Sequence, residues 1–257
     1  MSVDAIAARL LSAGVENAHS EAAWLCERFS GEELERAVHR RCERYPLQYL
    51  LGEWDFYRQT YEVGEDCLIP RADTEMLVEK GIALLPQGAR FLDLCTGSGC
   101  IAISTLCERT DTRGVAVDLF ARTLALAERN AHRNGVTERL TFLQADVLKV
   151  PPASLAAERF DAVFSNPPYI RADVMPTLQR EVQYEPTAAL CGGGDGLDFY
   201  RAILKEWQTV LKKDGFFLFE IGYDQGEDLR ALGAAYGYRA TVYKDYGGND
   251  RVVLLKR

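Results

Sequence analysis

The chain has 257 residues, 47% hydrophobic and 26% charged, with 21 glycines and 9 prolines, which excludes a disordered, collagen-like or fibrous protein. Thirty Lys and Arg against 38 Asp and Glu leave a net charge of −8, a poor footprint for gripping many phosphates. Seven cysteines without a Cys-x-x-Cys pair and three scattered histidines speak against a disulfide framework and a zinc site.

The length allows one α/β domain of up to about 200 residues plus a small second unit. No run of about 18 uncharged apolar residues occurs, and Asp4 and Arg9 interrupt the N-terminal stretch where a secretion signal would be continuous. The expectation is a soluble protein of a reducing, cytoplasmic compartment with no membrane contact.

Residues 3–44 carry apolar side chains at helical spacing, Ile6, Leu10 and Leu11, then Ala22, Leu25 and Phe29, then Leu34 and Val38, with Gly14 and Gly31 between them. They predict short amphipathic helices. Over 50–67 the aromatic and β-branched residues Trp54, Phe56, Tyr57, Tyr61 and Val63, with Gly52 and Gly64, predict a hairpin instead. From Arg90 onward short apolar runs alternate with helical patterns. Strands are predicted over 91–94, 114–118, 140–143, 160–165, 215–221, 239–243 and 252–255, and helices over 101–107, 121–133, 197–211 and 228–236. This alternation predicts a mostly parallel sheet covered on both faces. The last two strands are joined by the short segment 245–250 and are expected to pair antiparallel.

Gly97-x-Gly99-x-x-Ala102 follows a predicted strand and opens a helix, with Asp118 at the end of the next strand. Glycines allow a tight turn close to a ligand, the helix start offers free N–H groups, and the carboxylate can accept from both ribose hydroxyls. Nicotinamide and S-adenosylmethionine enzymes share this arrangement, and Asp118 could instead cap the following helix. Asp146 and Val147 end the third strand, where methyltransferases of this architecture recognise adenine; a plain turn is the alternative. No histidine near a strand end offers the proton relay of a dehydrogenase.

Ser165-Asn166-Pro167-Pro168-Tyr169 closes the fourth strand. Consecutive prolines cannot continue a central ladder, so the chain leaves the sheet stripped of two N–H donors. The Asn166 side-chain oxygen and the Pro167 carbonyl remain as acceptors. Converging on an NH2 group, they would hold its hydrogens and aim the nitrogen lone pair at an incoming methyl. Tyr169 is expected to stack on the planar group or wall the pocket.

Asn166-Pro167-Pro168-Tyr169 after 93–99 (Asp-Leu-Cys-Thr-Gly-Ser-Gly) resembles the amino-group methyltransferases that use S-adenosylmethionine. The stretches 68–75 (Leu-Ile-Pro-Arg-Ala-Asp-Thr-Glu), 185–190 (Glu-Pro-Thr-Ala-Ala-Leu) and 192–197 (Gly-Gly-Gly-Asp-Gly-Leu) narrow the resemblance to the peptide chain release factor glutamine N5-methyltransferases, over about residues 45–257. This chain departs from the family pattern at Cys95 (usually glycine), Ala72 (commonly proline) and Val147 (often aromatic), and its helical module is short.

The resemblance implies a Rossmann-like seven-stranded methyltransferase sheet, mostly parallel with the last strand antiparallel, occupying 71–257, behind a helical N-terminal domain (1–47) that contacts the substrate protein and a β-hairpin linker (48–70). It implies that Cys95, Thr96, Gly97, Ser98, Gly99, Asp118, Asp146, Val147 and Asn166 bind S-adenosylmethionine, leaving S-adenosylhomocysteine as product. Asn166, Pro167, Pro168 and Tyr169 would hold the target glutamine, with Asn166, Pro167 and Tyr169 catalytic and no metal involved. Arg71 and Thr74 are placed near the cofactor or the substrate loop; alternatively Arg71 forms an interdomain ion pair and Thr74 caps the next helix. The implied partner of this monomer is a release factor, not nucleic acid. The alternatives are an N6-adenine methyltransferase of DNA or RNA, a glutamine methyltransferase of a ribosomal protein, and a non-catalytic binding module.

Overall fold

A computed structural model describes residues 1–257, apart from the side chain of residue 156. Four helices open the chain, α1 (Val3–Ser12), α2 (Ala18–Arg28), α3 (Gly31–Cys42) and α4 (Leu47–Leu51). Ile6, Leu10, Ala22, Leu25, Val38 and Leu47 are buried together in a core of their own. Ser2 caps α1, its Oγ accepting from the Ala5 N–H at 3.3 Å. Because α4 runs from 47 to 51, it crosses the boundary expected at 47/48. The hairpin is confined to β1 (Glu53–Phe56) and β2 (Gln59–Glu62).

The rest is α5 (Glu75–Leu84), β3 (Arg90–Leu94), α6 (Cys100–Glu108), β4 (Arg113–Asp118), α7 (Ala121–Arg133), β5 (Leu140–Gln144), α8 (Ala153–Ala156), β6 (Phe160–Ser165), α9 (Asp198–Glu206), β7 (Leu211–Glu220), α10 (Gly226–Ala235), β8 (Arg239–Lys244) and β9 (Asp250–Lys256). The seven strands lie in the order β5-β4-β3-β6-β7-β9-β8. All pairs are parallel except those made by β9, which is antiparallel to both β7 and β8. This is the expected mostly parallel sheet with its last strand reversed.

Side-chain alternation along the strands builds two apolar layers. Leu92, Leu94, Val115, Val117, Val163, Phe217 and Phe219 pack on one face with Tyr200, Ile203 and Leu204 of α9 and Leu229 of α10. Phe91, Ala116, Ala162, Phe164, Phe216 and Leu218 pack on the other with Leu77 and Val78 of α5 and Ile101, Ala102 and Leu106 of α6. At about 25 cal/mol per Å² of apolar surface buried, these two layers are the main stabilising contribution.

One predicted helix is shorter than its periodicity suggests. The segment expected to be helical over 197–211 is α9 to Glu206, tightens to a 3₁₀ turn over Trp207–Val210 and enters β7 at Leu211. The reason is an irregular register: Phe160 pairs with Leu211 and Ala162 with Phe216, so Lys212, Lys213 and Asp214 are left without register partners on β6.

Candidate active site

The carboxyl ends of β3, β4, β5 and β6 deliver their loops to one cavity of about 400 Å³. Ligands of open α/β sheets sit there because the strand order reverses at this edge: β3 has β4 on one side and β6 on the other. Among the expected site residues, Cys95, Thr96, Gly97, Ser98, Asp118, Asp146, Val147, Asn166 and Pro168 line it. Gly99, Pro167 and Tyr169 are not among its lining residues.

The turn after β3 is held from below. Asp93 is fully buried, and its Oδ2 accepts from Thr96 Oγ1 at 2.6 Å and from the Ala102 N–H at 3.3 Å, while Oδ1 has no partner. Burial pushes this carboxyl up to about 7, against the hydrogen bonds from Thr96 and Ala102. Cys95 adopts φ 59°, in the left-handed region. That is the physical sense of the glycine usual here, and a cysteine holds the conformation at a cost of about 1–2 kcal/mol. Gly99 supports the turn by packing. Its φ is 81°, and a Cβ there would meet Ile103 Cδ1 at 2.8 Å and Ala127 Cβ at 3.2 Å, between α6 and α7.

Asp118 lies at the end of β4, with Oδ2 accepting from the Gly97 N–H at 3.0 Å and Oδ1 from the Phe120 N–H at 3.1 Å. Burial raises its pKa and these backbone N–H groups oppose the rise. Two carboxylate lone pairs remain for a ligand diol. The cap position of α7 is Phe120, without a side-chain cap, so Asp118 is tied to the glycine turn rather than serving as a simple helix cap. Asp146 accepts from the Leu148 N–H at 3.0 Å and pairs with Lys149 at 3.2 Å, as a turn residue does, and it also faces the cavity. Val147 is buried, and its carbonyl, with that of Lys149, accepts from the Trp207 indole N–H at 3.0 and 3.1 Å.

At the end of β6, Asn166 Nδ2 donates to Thr74 Oγ1 at 3.2 Å. Thr74 does not cap α5 with its side chain; its hydroxyl donates to Glu220 Oε2 at 2.5 Å. Tyr169 donates to Glu220 Oε1 at 3.2 Å and packs against the apolar core. Burial raises the Tyr169 and Glu220 pKa values, and for Glu220 the Thr74 and Tyr169 hydrogen bonds and Arg251 oppose the rise. Arg71 pairs with the buried Glu185, which also accepts from the Ile69 N–H at 3.0 Å. Arg71 and Thr74 both line the cavity.

Leu119, Phe120, Leu148 and Phe199 also line the cavity and lie outside the quoted motifs; Pro186, within the 185–190 stretch, lines it too. Their signal was present: Phe120 and Leu148 are large apolar residues, 48% and 46% exposed, two positions after the strand-end carboxylates. Glu220 had a similar one, an acidic residue closing the apolar run of β7.

A family model described as a methyltransferase domain matches residues 85–240. The release factor glutamine methyltransferase of Geobacter sulfurreducens is 37% identical over 265 residues, covering 95% of this chain and 91% of the relative. That of Fusobacterium nucleatum is 39% identical over 227 residues, covering 87% of this chain and 63% of the relative, so this chain spans under two thirds of its length. Among solved structures, a methyltransferase from Pyrococcus furiosus superposes with a TM-score of 0.57 at 20% identity, covering 76% of this chain and 87% of that one, a likeness of fold.

Proposed function

This chain belongs to the release factor glutamine methyltransferase family, and from that membership we propose that it methylates the side-chain amide nitrogen of the glutamine in the Gly-Gly-Gln loop of a peptide chain release factor, using S-adenosylmethionine. The observation that carries the reading is the meeting of Asn166 and Pro168 with the glycine turn, Asp118 and Asp146 around one cavity. The donor set suits the cofactor: around a largely apolar cavity, Asp118 and Asp146 follow the neighbouring strands β4 and β5, for a ribose diol and an adenine amine, and the polar glycine turn after β3 lies against Asp118.

Cys95 to Ser98, Asp118, Asp146 and Val147 would hold S-adenosylmethionine, which supplies an electrophilic methyl on a sulfonium and leaves as S-adenosylhomocysteine. Asp118 would accept from the ribose hydroxyls and Asp146 from the adenine amine, with Leu119 and Leu148 as apolar walls. Asn166 Oδ1, on the cavity, takes one hydrogen of the glutamine NH2 and fixes its plane; the Pro167 carbonyl, outside the lining, takes the other on the strength of the family resemblance alone. An amide nitrogen is too weakly acidic for a side-chain base to deprotonate beforehand. The two acceptors therefore act by orientation and by stabilising the positive charge that develops as the N–C bond forms and the C–S bond breaks. The N-methylated amide, strongly acidic while it carries the positive charge, then loses one proton to water.

The test is intact-peptide mass spectrometry of a purified release factor incubated with the enzyme and S-adenosylmethionine. One added methyl on the Gly-Gly-Gln glutamine, absent with Asn166→Ala, supports the reading. Methyl label in adenine of DNA or RNA, with the release factor unchanged, overturns it.

A further inference from the structure

The hydrogen bonds beneath Asn166 have a direction. Glu220 ends β7 with 1% of its surface exposed and stands between two hydroxyl groups, Thr74 on Oε2 and Tyr169 on Oε1. A tyrosine or threonine hydroxyl has one proton to donate, and a carboxylate only accepts. Thr74 gives its proton to Glu220 at 2.5 Å, so toward Asn166 it can only accept. The group it accepts from is Asn166 Nδ2, at 3.2 Å. The NH2 end of Asn166 is thus committed to Thr74, and its other face, the oxygen, is left for the cavity both residues line.

We propose that Thr74 and Glu220 are positioning residues that fix the amide orientation of Asn166, so that an acceptor oxygen and not an NH2 group meets the nitrogen to be methylated. This rests on the reading of the reaction given above. An asparagine side chain is nearly isosteric under a half-turn, and without a partner of fixed polarity the turned form would present a donor to the substrate NH2. That would repel the group it must hold. The polarity originates in the carboxylate, is passed on by one hydroxyl, and is read out at Asn166. Thr74 lies in the 68–75 stretch, just before α5, and Glu220 146 residues later, so the relay also locks that segment to the sheet.

Three variants test it. Thr74→Val keeps the shape and removes the hydroxyl; Thr74→Ser restores the hydroxyl; Glu220→Gln can donate to Thr74 and so reverse the chain. With the release factor as substrate, Thr74→Val and Glu220→Gln are expected to lower kcat about 100-fold, as for loss of one oriented group at a developing charge. KM for the protein and affinity for S-adenosylhomocysteine stay within about threefold, and Thr74→Ser recovers most of the rate. In an Asn166→Ala background, Thr74→Val is expected to add less than about twofold, because the interaction it serves is already gone. A loss of the same size in that background, a loss confined to KM, or Thr74→Ser as poor as Thr74→Val overturns the proposal.

A substrate-free measurement separates this inference from the reaction it rests on. In the ¹⁵N NMR spectrum of the wild-type protein the Asn166 side-chain NH2 should exchange slowly with water, and in Thr74→Val roughly tenfold faster. Equal exchange in the two proteins overturns the relay whatever the substrate. Slow exchange in wild type with no methyl on any release factor overturns the reaction and leaves the relay standing. Should Glu220→Gln fail to fold, the Thr74 pair decides alone.

Discussion

Gly192 has no room for a side chain against Pro168: a Cβ would stand 2.6 Å from the Pro168 carbonyl oxygen and 2.7 Å from Tyr169 Cα. The segment that follows wraps the reaction loop, with the Gly192 N–H donating to the Ile170 carbonyl at 2.8 Å and the Ala172 N–H to that of Gly193 at 2.9 Å. The backbone of Gly192 is not in the left-handed region, so the crowding of Gly192→Ala falls on contact alone. The loop carrying Asn166 and Pro167 must shift by a large fraction of an ångström. A displacement near 1 Å at a reacting group costs about 10²-fold. Gly192→Ala is therefore expected to lower kcat about 100-fold while S-adenosylhomocysteine, measured by calorimetry, binds within a few-fold of wild type. Unchanged turnover would show that the loop is not held by this contact.

Trp207 fastens the loop that follows β5. Its indole N–H reaches the carbonyls of both Val147 and Lys149, the loop that bears Asp146. Trp207→Phe leaves those carbonyls without a donor, a loss of about 1–3 kcal/mol. For a chain of this size the midpoint of thermal unfolding should fall by roughly 2–10 °C. The same change should weaken S-adenosylhomocysteine binding more than it raises KM for the release factor, since Trp207 supports the cofactor side. Calorimetry and initial rates check the two halves separately, and a larger effect on protein KM would place Trp207 in support of the wrong half.

Asp93 makes stability depend on pH. Burial holds its carboxyl near 7 in the folded chain, against 3.8 when unfolded, so between these values the native state binds the extra proton. Its contribution is complete below about pH 4 and is lost as pH rises through about 7. The displacement corresponds to at most about 4 kcal/mol. Asp93→Asn removes the titration, so between pH 5 and 8 the wild type should lose stability relative to the variant as pH increases. Urea unfolding at four or five pH values gives the difference. A difference that does not change with pH would mean that Asp93 is ionised throughout.

Fold and site differ in how far the sequence discloses them. The central strands could be read from apolar runs such as Phe91-Leu92 and Ala162-Val163-Phe164, because both faces of the sheet are buried and every residue counts. The end of α9 could not: Trp207 and Val210 continue the helical spacing, and only the pairing of Leu211 with Phe160 ends it. The cofactor side of the site is legible because each loop is local, a few residues after a strand. Thr74, Asn166 and Glu220 lie on three distant segments joined by two hydrogen bonds, and nothing in local spacing announces that they meet. The hydrogen bond from the Tyr169 hydroxyl to Glu220, 51 residues away, is likewise invisible in the motif that singles Tyr169 out.

Glu181 ties the helical module to the loop over the cavity. It accepts from Arg41 at 3.0 Å and from Arg44 at 2.6 and 2.9 Å, while Arg41 is also held by Glu21 at 2.5 Å. Tyr184, packed edge-on against Tyr45 at 5.3 Å, adds an apolar contact beside it. The residues that follow, Pro186, Ala188 and Ala189, line the cavity, so one anchor of this loop lies at the end of α3, at Arg41 and Arg44. Charge-assisted bonds of this kind are worth about 1.5–3 kcal/mol. Glu181→Ala keeps Arg41 paired with Glu21 and frees the loop, so the backbone amides of Glu185, Ala189 and Leu190 should exchange at least roughly tenfold faster with solvent. The amides of β3 and β6, bonded within the sheet, should not change. Hydrogen-exchange mass spectrometry reads both regions in one experiment, and equal protection of the 182–191 peptide in the two proteins would show that the loop is held by its other contacts, Tyr184 with Tyr45 and Glu43 and Glu185 with Arg71 and Ile69, and not by Glu181.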